Sequence, residues 1–130
     1  MIVPRYYEDL RVLHENTMPD RAYYIPAPAP LDPSQPRTAS SRLRMLSGQW
    51  RFRYFDSVYD LTDRFFEPGY DASGFENRTV PNVWQTYGCD SRQYTNIRYP
   101  FPFDPPYVPQ DNPCGAYLLD FSWETDPAAP

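Results

Sequence analysis

Alternating hydrophobic and polar positions predict two firm β-strands in this chain. In the segment 49–55, aromatic residues alternate with polar ones, which is the pattern of a half-buried strand. The segment 116–123 repeats this alternation, with Asp120 and Ser122 on its polar side. The hydrophobic faces consist of Trp50, Phe52 and Tyr54 in the first segment and Tyr117, Leu119, Phe121 and Trp123 in the second.

Two shorter elements are predicted between these strands. Residues 57–60 fit a capping box loosely, with Ser57 and Asp60 as its two capping side chains, and predict a short helix that ends before Pro68. Residues 78–80 form a short strand that Pro81 stops. Four or five short strands separated by long turns indicate an all-β chain. A closed sandwich or jelly roll needs about eight strands, so we predict a partial jelly-roll β-sandwich that stops partway.

The first 40 residues lack this alternation and are predicted to form an extended N-terminal arm with a spacer. Residues 1–25 are mixed in character, and we expect them to lie on the surface of something larger. The proline-rich segment 26–36 favours an extended polyproline conformation and a semi-stiff spacer. The alternative is a proline-rich ligand for a recognition module. The predicted division is therefore 1–40 for arm and spacer, 41–126 for the partial sandwich and 127–130 for a truncated end.

The charge pattern argues against two classes of partner. The chain of 130 residues has a net charge of −5, and its twelve basic residues are all arginines scattered along the sequence. No stripe of basic residues is present that would follow a phosphate backbone, so nucleic acid and anionic membrane surfaces are poor candidate partners.

The cysteines and the apolar runs bear on the compartment. Two cysteines, Cys89 and Cys114, are too few for a disulfide framework. We expect both to be free thiols, with a bridge between them as the alternative. No apolar run approaches the roughly 20 residues that cross a bilayer, and no secretory leader pattern opens the chain. A cytoplasmic location is therefore predicted.

The segment 84–115 has neither a helical nor an alternating pattern, yet it is rich in aromatic residues and prolines. Disordered segments are normally poor in aromatics, and long connections in compact domains tend to be functional, so we predict an ordered, functional loop. Its prolines would hold Asn96 in a fixed place. The candidates for a cis peptide bond are Asp104–Pro105 and Pro105–Pro106.

The residue types in this loop favour ligand binding over catalysis. The single histidine, His14, lies in the arm, so neither a Ser-His-Asp constellation nor a zinc site can be built, and we assign no catalytic and no metal-binding residue. The amide of Asn96 both donates and accepts hydrogen bonds, so it can bind two sugar hydroxyls at once. Candidate stacking faces are Trp84, Tyr87, Tyr94 and Tyr99. The alternative is that Asn96 caps a turn and that these aromatics are core.

Several ordered motifs carry a family resemblance that covers about residues 5–123. They are Pro81-Asn-Val-Trp-Gln, Tyr94-Thr-Asn-Ile-Arg-Tyr-Pro-Phe, Pro105-Pro-Tyr-Val-Pro, Asn112-Pro-Cys-Gly-Ala-Tyr, Leu46-Ser-Gly-Gln-Trp-Arg-Phe and the leader Leu13-His-Glu-Asn-Thr-Met-Pro-Asp-Arg-Ala-Tyr-Tyr. The motif Leu46-Ser-Gly-Gln-Trp-Arg-Phe differs from the family's usual first-strand motif, Leu-Asn/Asp-Gly-x-Trp-x-Phe, only in having serine at its second position. Together the motifs resemble the N-terminal sugar-binding domain of glycoside hydrolase family 2, in its β-galactosidase branch.

This resemblance implies a galactose-binding-domain-like jelly roll at the front of a retaining β-galactosidase. The implied substrate is a terminal β-D-galactoside such as lactose, and Asn96 would contact the galactosyl group. The catalytic glutamates would come from a later barrel of the same parent chain, so the isolated chain is predicted to be inactive. The family's magnesium and sodium ligands would lie outside this segment, and the parent would be a homo-oligomer. The alternatives are a stand-alone carbohydrate-binding module without catalysis and a proline-rich interaction protein.

Overall fold

The protein is described by a computed structural model for residues 2, 4–92, 96, 99 and 101–125. Within these residues the regular structure consists of three β-strands and four short 3-10 helices. In chain order they are η1 (Tyr6–Glu8), η2 (Arg37–Ala39), β1 (Gly48–Phe55), η3 (Val58–Asp60), β2 (Glu76–Val80), η4 (Trp84–Tyr87) and β3 (Cys114–Leu118). The all-β class is confirmed, and one open sheet is consistent with part of a sandwich.

The sheet has the order β2-β1-β3, and both pairings are antiparallel. Strand β2 pairs with the first part of β1, so that Trp50 lies opposite Arg78. Strand β3 pairs with the second part, so that Phe52 lies opposite Tyr117. The two neighbours are therefore staggered along β1, and each leaves part of that central strand unpaired on its side.

One face of the sheet is aromatic, as the alternation in β1 predicts. Because side chains alternate across a strand, Trp50, Phe52 and Tyr54 share a face with Tyr117 of β3. The ring centroids of Phe52 and Tyr117 are 4.8 Å apart, and those of Trp50 and Tyr117 are 6.5 Å apart in an edge-on arrangement. Phe52 is only 3% exposed. We call these four residues the aromatic face.

The predictions for the two elements between the long strands are confirmed. Ser57 and Asp60 form a capping box on η3: the Ser57 hydroxyl accepts the N–H of Tyr59 at 3.2 Å, and the Asp60 carboxylate accepts the N–H of Ser57 at 3.1 Å. Strand β2 includes the predicted residues 78–80 and begins two residues earlier, at Glu76. The connection that contains η3 also supplies core residues, because Val58, Leu61 and Ala72 are buried.

The predicted strand over 116–123 is wrong at both ends. Strand β3 begins at Cys114 and ends at Leu118, and the side chains of Phe121 and Trp123 are 50% and 60% exposed. After Leu118 a side-chain ion pair between Arg51 and Asp120 connects the segment to β1 in place of a continued ladder. Alternation marks residues that can be half-buried, but a strand also needs a continuous backbone partner.

The proline-rich segment differs from the extended conformation predicted for it. The carboxylate of Asp32 accepts the N–H of Ser34 at 2.8 Å, and its carbonyl accepts the N–H of Gln35 at 3.0 Å, which turns the chain. The buried Ser40 then donates its hydroxyl hydrogen to the carbonyl of Pro26. Local hydrogen bonding at Asp32 therefore folds the segment back on itself. The predicted division into residues 1–40, 41–126 and 127–130 stays a prediction.

Among the described residues, two X-Pro peptide bonds are cis, Val80–Pro81 and Pro105–Pro106. The second was one of the two candidates, and the N–H of Tyr107 donates to the carbonyl of Asp104 at 2.9 Å across it. Cys89 and Cys114 are free thiols, as expected. In the part of the chain that is described, no helix is long and apolar enough to span a bilayer.

Candidate functional site

The predicted loop is held at its start by η4 and Gly88. Residues 84–87 form this 3-10 helix, and Gly88 ends it in the left-handed region with φ 83°. The N–H of Gly88 donates a hydrogen bond to the carbonyl of Gln85 at 3.3 Å, and the N–H of Cys89 donates to the carbonyl of Trp84 at 3.3 Å. A glycine suits this position because other L-residues rarely adopt such a φ. We call residues 88–113, which join η4 to β3, the connecting loop.

Trp84 packs its indole ring against the aromatic face. Its ring meets that of Tyr54 edge-on, with centroids 5.9 Å apart. A Cβ atom on Gly115 would lie 2.8 Å from Cζ3 of Trp84 and 2.8 Å from Cε2 of Phe52. Because real Cβ atoms do not approach other atoms this closely, only glycine fits at this point of β3. The two ends of the connecting loop therefore meet on one surface.

The last residues of the connecting loop are bonded to the connection after β1. The hydroxyl of Ser57 donates to the carbonyl of Gln110, and the N–H of Val58 donates to the carbonyl of Asn112 at 3.0 Å. The side chain of Ser57 thus both caps η3 and restrains the end of the connecting loop. Both ends of the connecting loop are restrained by contacts with β1 or with residues that directly follow it.

Two of the four candidate stacking residues have packing roles. The Trp84 ring lies on the aromatic face, as described above. The hydroxyl of Tyr87 accepts hydrogen bonds from the N–H of Thr79 at 3.2 Å and the amide of Asn82 at 2.9 Å, and donates to the carbonyl of Thr79. The guanidinium of Arg78 covers its ring at 4.8 Å from the centroid. Both residues are half-buried, so their packing contacts favour the core interpretation over that of a free stacking face.

The middle of the connecting loop presents polar and aromatic side chains to solvent. Asn96 lies in a bend and is exposed, and Tyr94 lies outside the described residues. The exposed aromatic residues are Tyr99 (79%), Phe101 (40%), Phe103 (91%) and Tyr107 (63%). We call these four the exposed aromatic row. Only Tyr99 was among the stacking candidates, although the prolines interleaved with the other three are a signal that could have marked them as non-core.

Three titratable side chains near the loop base, those of Tyr54, Tyr117 and Cys114, have raised pKa values. Burial, with smaller contributions from Asp90 and Asp56, raises the pKa of the Tyr54 phenol. Burial likewise raises the pKa of the Tyr117 phenol and of the Cys114 thiol. All three shifts disfavour the charged form of the side chain.

The described residues offer no cluster of three histidine, cysteine, aspartate or glutamate side chains that could hold a metal ion. What the site offers chemically is an exposed amide with exposed aromatic rings on the same loop. That combination suits a polyhydroxylated ligand with an apolar ring face.

Residues 43–128 match the family model described as "Glycosyl hydrolases family 2, sugar binding domain". The chain therefore belongs to glycosyl hydrolase family 2, and the resemblance noted from its motifs is confirmed.

Individual relatives of this chain agree with the family match. A protein of Actinobacillus pleuropneumoniae named beta-galactosidase is 45% identical over 119 residues, which cover 90% of this chain and 11% of that protein. A beta-galactosidase of Staphylococcus xylosus is 39% identical over 124 residues, covering 94% of this chain and 12% of the relative. That of Yersinia enterocolitica is 42% identical over 96 residues, or 74% of this chain and 9% of the relative. The chain thus spans only a small part of the length of the relatives that it matches.

Proposed function

We propose that this chain is the N-terminal sugar-binding segment of a β-galactosidase that hydrolyses terminal β-D-galactosides, such as lactose, with retention of configuration. The observation that carries the proposal is the match of residues 43–128 to a family 2 sugar-binding domain. Relatives named beta-galactosidase, at 39% and 45% identity over most of the chain, support the choice of galactoside.

In this proposal Asn96 binds the galactosyl group. Its side chain is exposed on a loop whose two ends are held at the aromatic face, so ordering the loop for binding costs less than ordering a free segment. The carboxamide offers two N–H donors and an acceptor oxygen, which match adjacent sugar hydroxyls. Hydrogen bonds that strengthen as the transition state forms would raise kcat/KM as well as affinity.

The chemical step belongs to the remainder of the parent enzyme. In a retaining glycosidase one carboxyl group acts as acid and then base, and a second forms the glycosyl-enzyme intermediate. Both would come from the catalytic barrel, so this chain contributes orientation alone. Magnesium and sodium, if the parent uses them, would be bound by residues outside this chain.

The exposed aromatic row suggests how the segment meets its barrel. Four aromatic side chains are at least 40% exposed on one loop, and Phe103 is almost wholly so. Rings of this size bury a large apolar area on contact, so they suit a surface that another part of the parent covers. We propose the catalytic barrel as that part, in a parent that is itself a homo-oligomer.

The experiment is to replace Asn96 in the full-length enzyme. Asn96→Ala should lower kcat/KM for a chromogenic β-galactoside by about thirtyfold, which corresponds to about 2 kcal/mol for the loss of a buried polar contact to substrate. Asn77→Ala is the matched control, because Asn77 is an exposed asparagine on β2, outside the connecting loop. Equal kinetics for the two variants would contradict the proposed role of Asn96.

The isolated chain is expected not to hydrolyse the same galactoside, and turnover by the purified chain would disprove this. A galactose-binding measurement on the isolated chain tests the alternative of a stand-alone binding module, which requires affinity in that chain. The free outer edges of β2 and β3 within the described sheet disfavour that alternative, because unprotected edges promote aggregation.

A further inference from the structure

The contact between Trp84 and Gly115 closes the connecting loop at its base. Trp84 opens η4, immediately before the loop, and Gly115 lies in β3, immediately after it. The glycine is required by space alone, because its backbone is not in the left-handed region in which Gly48, Gly69 and Gly88 lie. Its missing side chain leaves the gap in which the indole ring sits.

Within the part of the chain that is described, ring packing rather than a hydrogen bond orients the indole in this gap. Its N–H is buried and finds no hydrogen-bond acceptor among the described residues. Atoms Cζ3 and Cε3 lie 2.8 Å and 3.0 Å from the position of a Cβ on Gly115, and Tyr54 meets the ring from the side. A methyl group at Gly115 would also lie 2.8 Å from Cε2 of Phe52, so the indole, the Phe52 ring or both would have to shift. We expect a shift of the indole to act on η4, from which Trp84 projects.

A displacement at the base reaches the rest of the loop. The carbonyl of Trp84 accepts a hydrogen bond from the N–H of Cys89, so a shift of η4 would also move the first residues of the connecting loop. The far end stays bonded to Ser57 and Val58, and the loop must adjust between the two. Small misplacements of a binding group can cost a large factor in rate.

We propose that Trp84 and Gly115 are positioning residues, which place the connecting loop so that Asn96 meets the sugar. This inference rests on the proposed function, because it gives the pair an effect through Asn96. It adds to that function the residues that determine where the asparagine lies.

The test compares variants of the full-length enzyme in kcat and KM for a chromogenic β-galactoside. Gly115→Ala should lower kcat/KM by about tenfold, whereas Gly74→Ala should leave it within about twofold. Gly74 is the matched control because nothing lies within 4 Å of the corresponding Cβ and its backbone is also outside the left-handed region. In an Asn96→Ala background, Gly115→Ala should have less than about a twofold further effect, since coupled residues do not act additively.

The outcomes separate the two proposals. Asn96→Ala without effect contradicts the proposed function, and the positioning role with it. If Asn96→Ala lowers kcat/KM but Gly115→Ala behaves like Gly74→Ala, the positioning role alone is wrong. A tenfold loss from Gly115→Ala in both backgrounds also overturns it, because a general structural defect would act independently of Asn96.

A second pair of variants keeps the test decisive if Gly115→Ala does not fold. Trp84→Phe removes ring atoms from the gap and should lower kcat/KM by about threefold, again only when Asn96 is present. Combining it with Gly115→Ala relieves the contact of the methyl group with the indole but leaves that with Phe52, so the double variant should regain part of the activity that Gly115→Ala loses. Loss from Trp84→Phe that is undiminished in the Asn96→Ala background would contradict the proposal.

Discussion

The aromatic face and the exposed aromatic row both consist of aromatic residues but differ in solvent exposure. In the face, Phe52 is 3% exposed and lies opposite Tyr117. In the row, Phe103 is 91% exposed, and its neighbours Tyr99 and Tyr107 are also exposed. The comparison shows that aromatic content alone does not place a residue in the core.

Backbone pairing explains the difference. Residues of β1 are paired on both sides over part of the strand, which holds alternate side chains on one packed face. In the row, prolines at 102, 105 and 106 interrupt the chain between aromatic residues. Each proline lacks an N–H donor, so the segment cannot form a regular ladder. Its rings therefore have no sheet to pack on within the described residues.

The largest effect on stability is expected from the aromatic face. Phe52→Ala should destabilise the domain by about 3 kcal/mol, because it removes a buried ring in contact with Tyr117 and opens a cavity. The measurement is urea unfolding followed by tryptophan fluorescence. An effect below about 1 kcal/mol would mean that the aromatic face is not the core of this sheet.

An intermediate effect is expected where the loop meets the connection after β1. Ser57→Ala removes the cap of η3 and the hydrogen bond to the carbonyl of Gln110, at an expected cost of about 1 kcal/mol in the same unfolding experiment. Ser47→Ala, at an exposed serine just before β1, is the control. Indistinguishable midpoints for the two variants would show that this contact does not restrain the loop.

The smallest effect is expected in the exposed aromatic row. Phe103→Ala should change the free energy of unfolding of the isolated chain by no more than about 0.5 kcal/mol, because its ring is already in solvent. Unfolding in urea, compared side by side with Phe52→Ala, checks this. A loss close to that of Phe52→Ala would remove the distinction between the two regions.

Local patterns were enough to predict the central strand and the capping box. The alternation at Trp50, Phe52 and Tyr54 has a period of two, and the capping box spans Ser57 to Asp60. Both signals depend on residues within a few positions of each other, so they are legible in the sequence. The motifs around Asn96 likewise indicated the family.

The roles of other residues depend on contacts between distant parts of the chain. The end of β3 at Leu118, the gap at Gly115 that Trp84 fills and the hydrogen bonds of Tyr87 to Thr79 and Asn82 all follow from register and packing. No local pattern distinguishes Trp84 as a packed ring from Trp84 as a sugar-stacking ring. The sequence by itself determined the all-β class, β1 and the family. The tertiary structure alone decided which aromatics pack, because burial depends on what each side chain meets across the sheet.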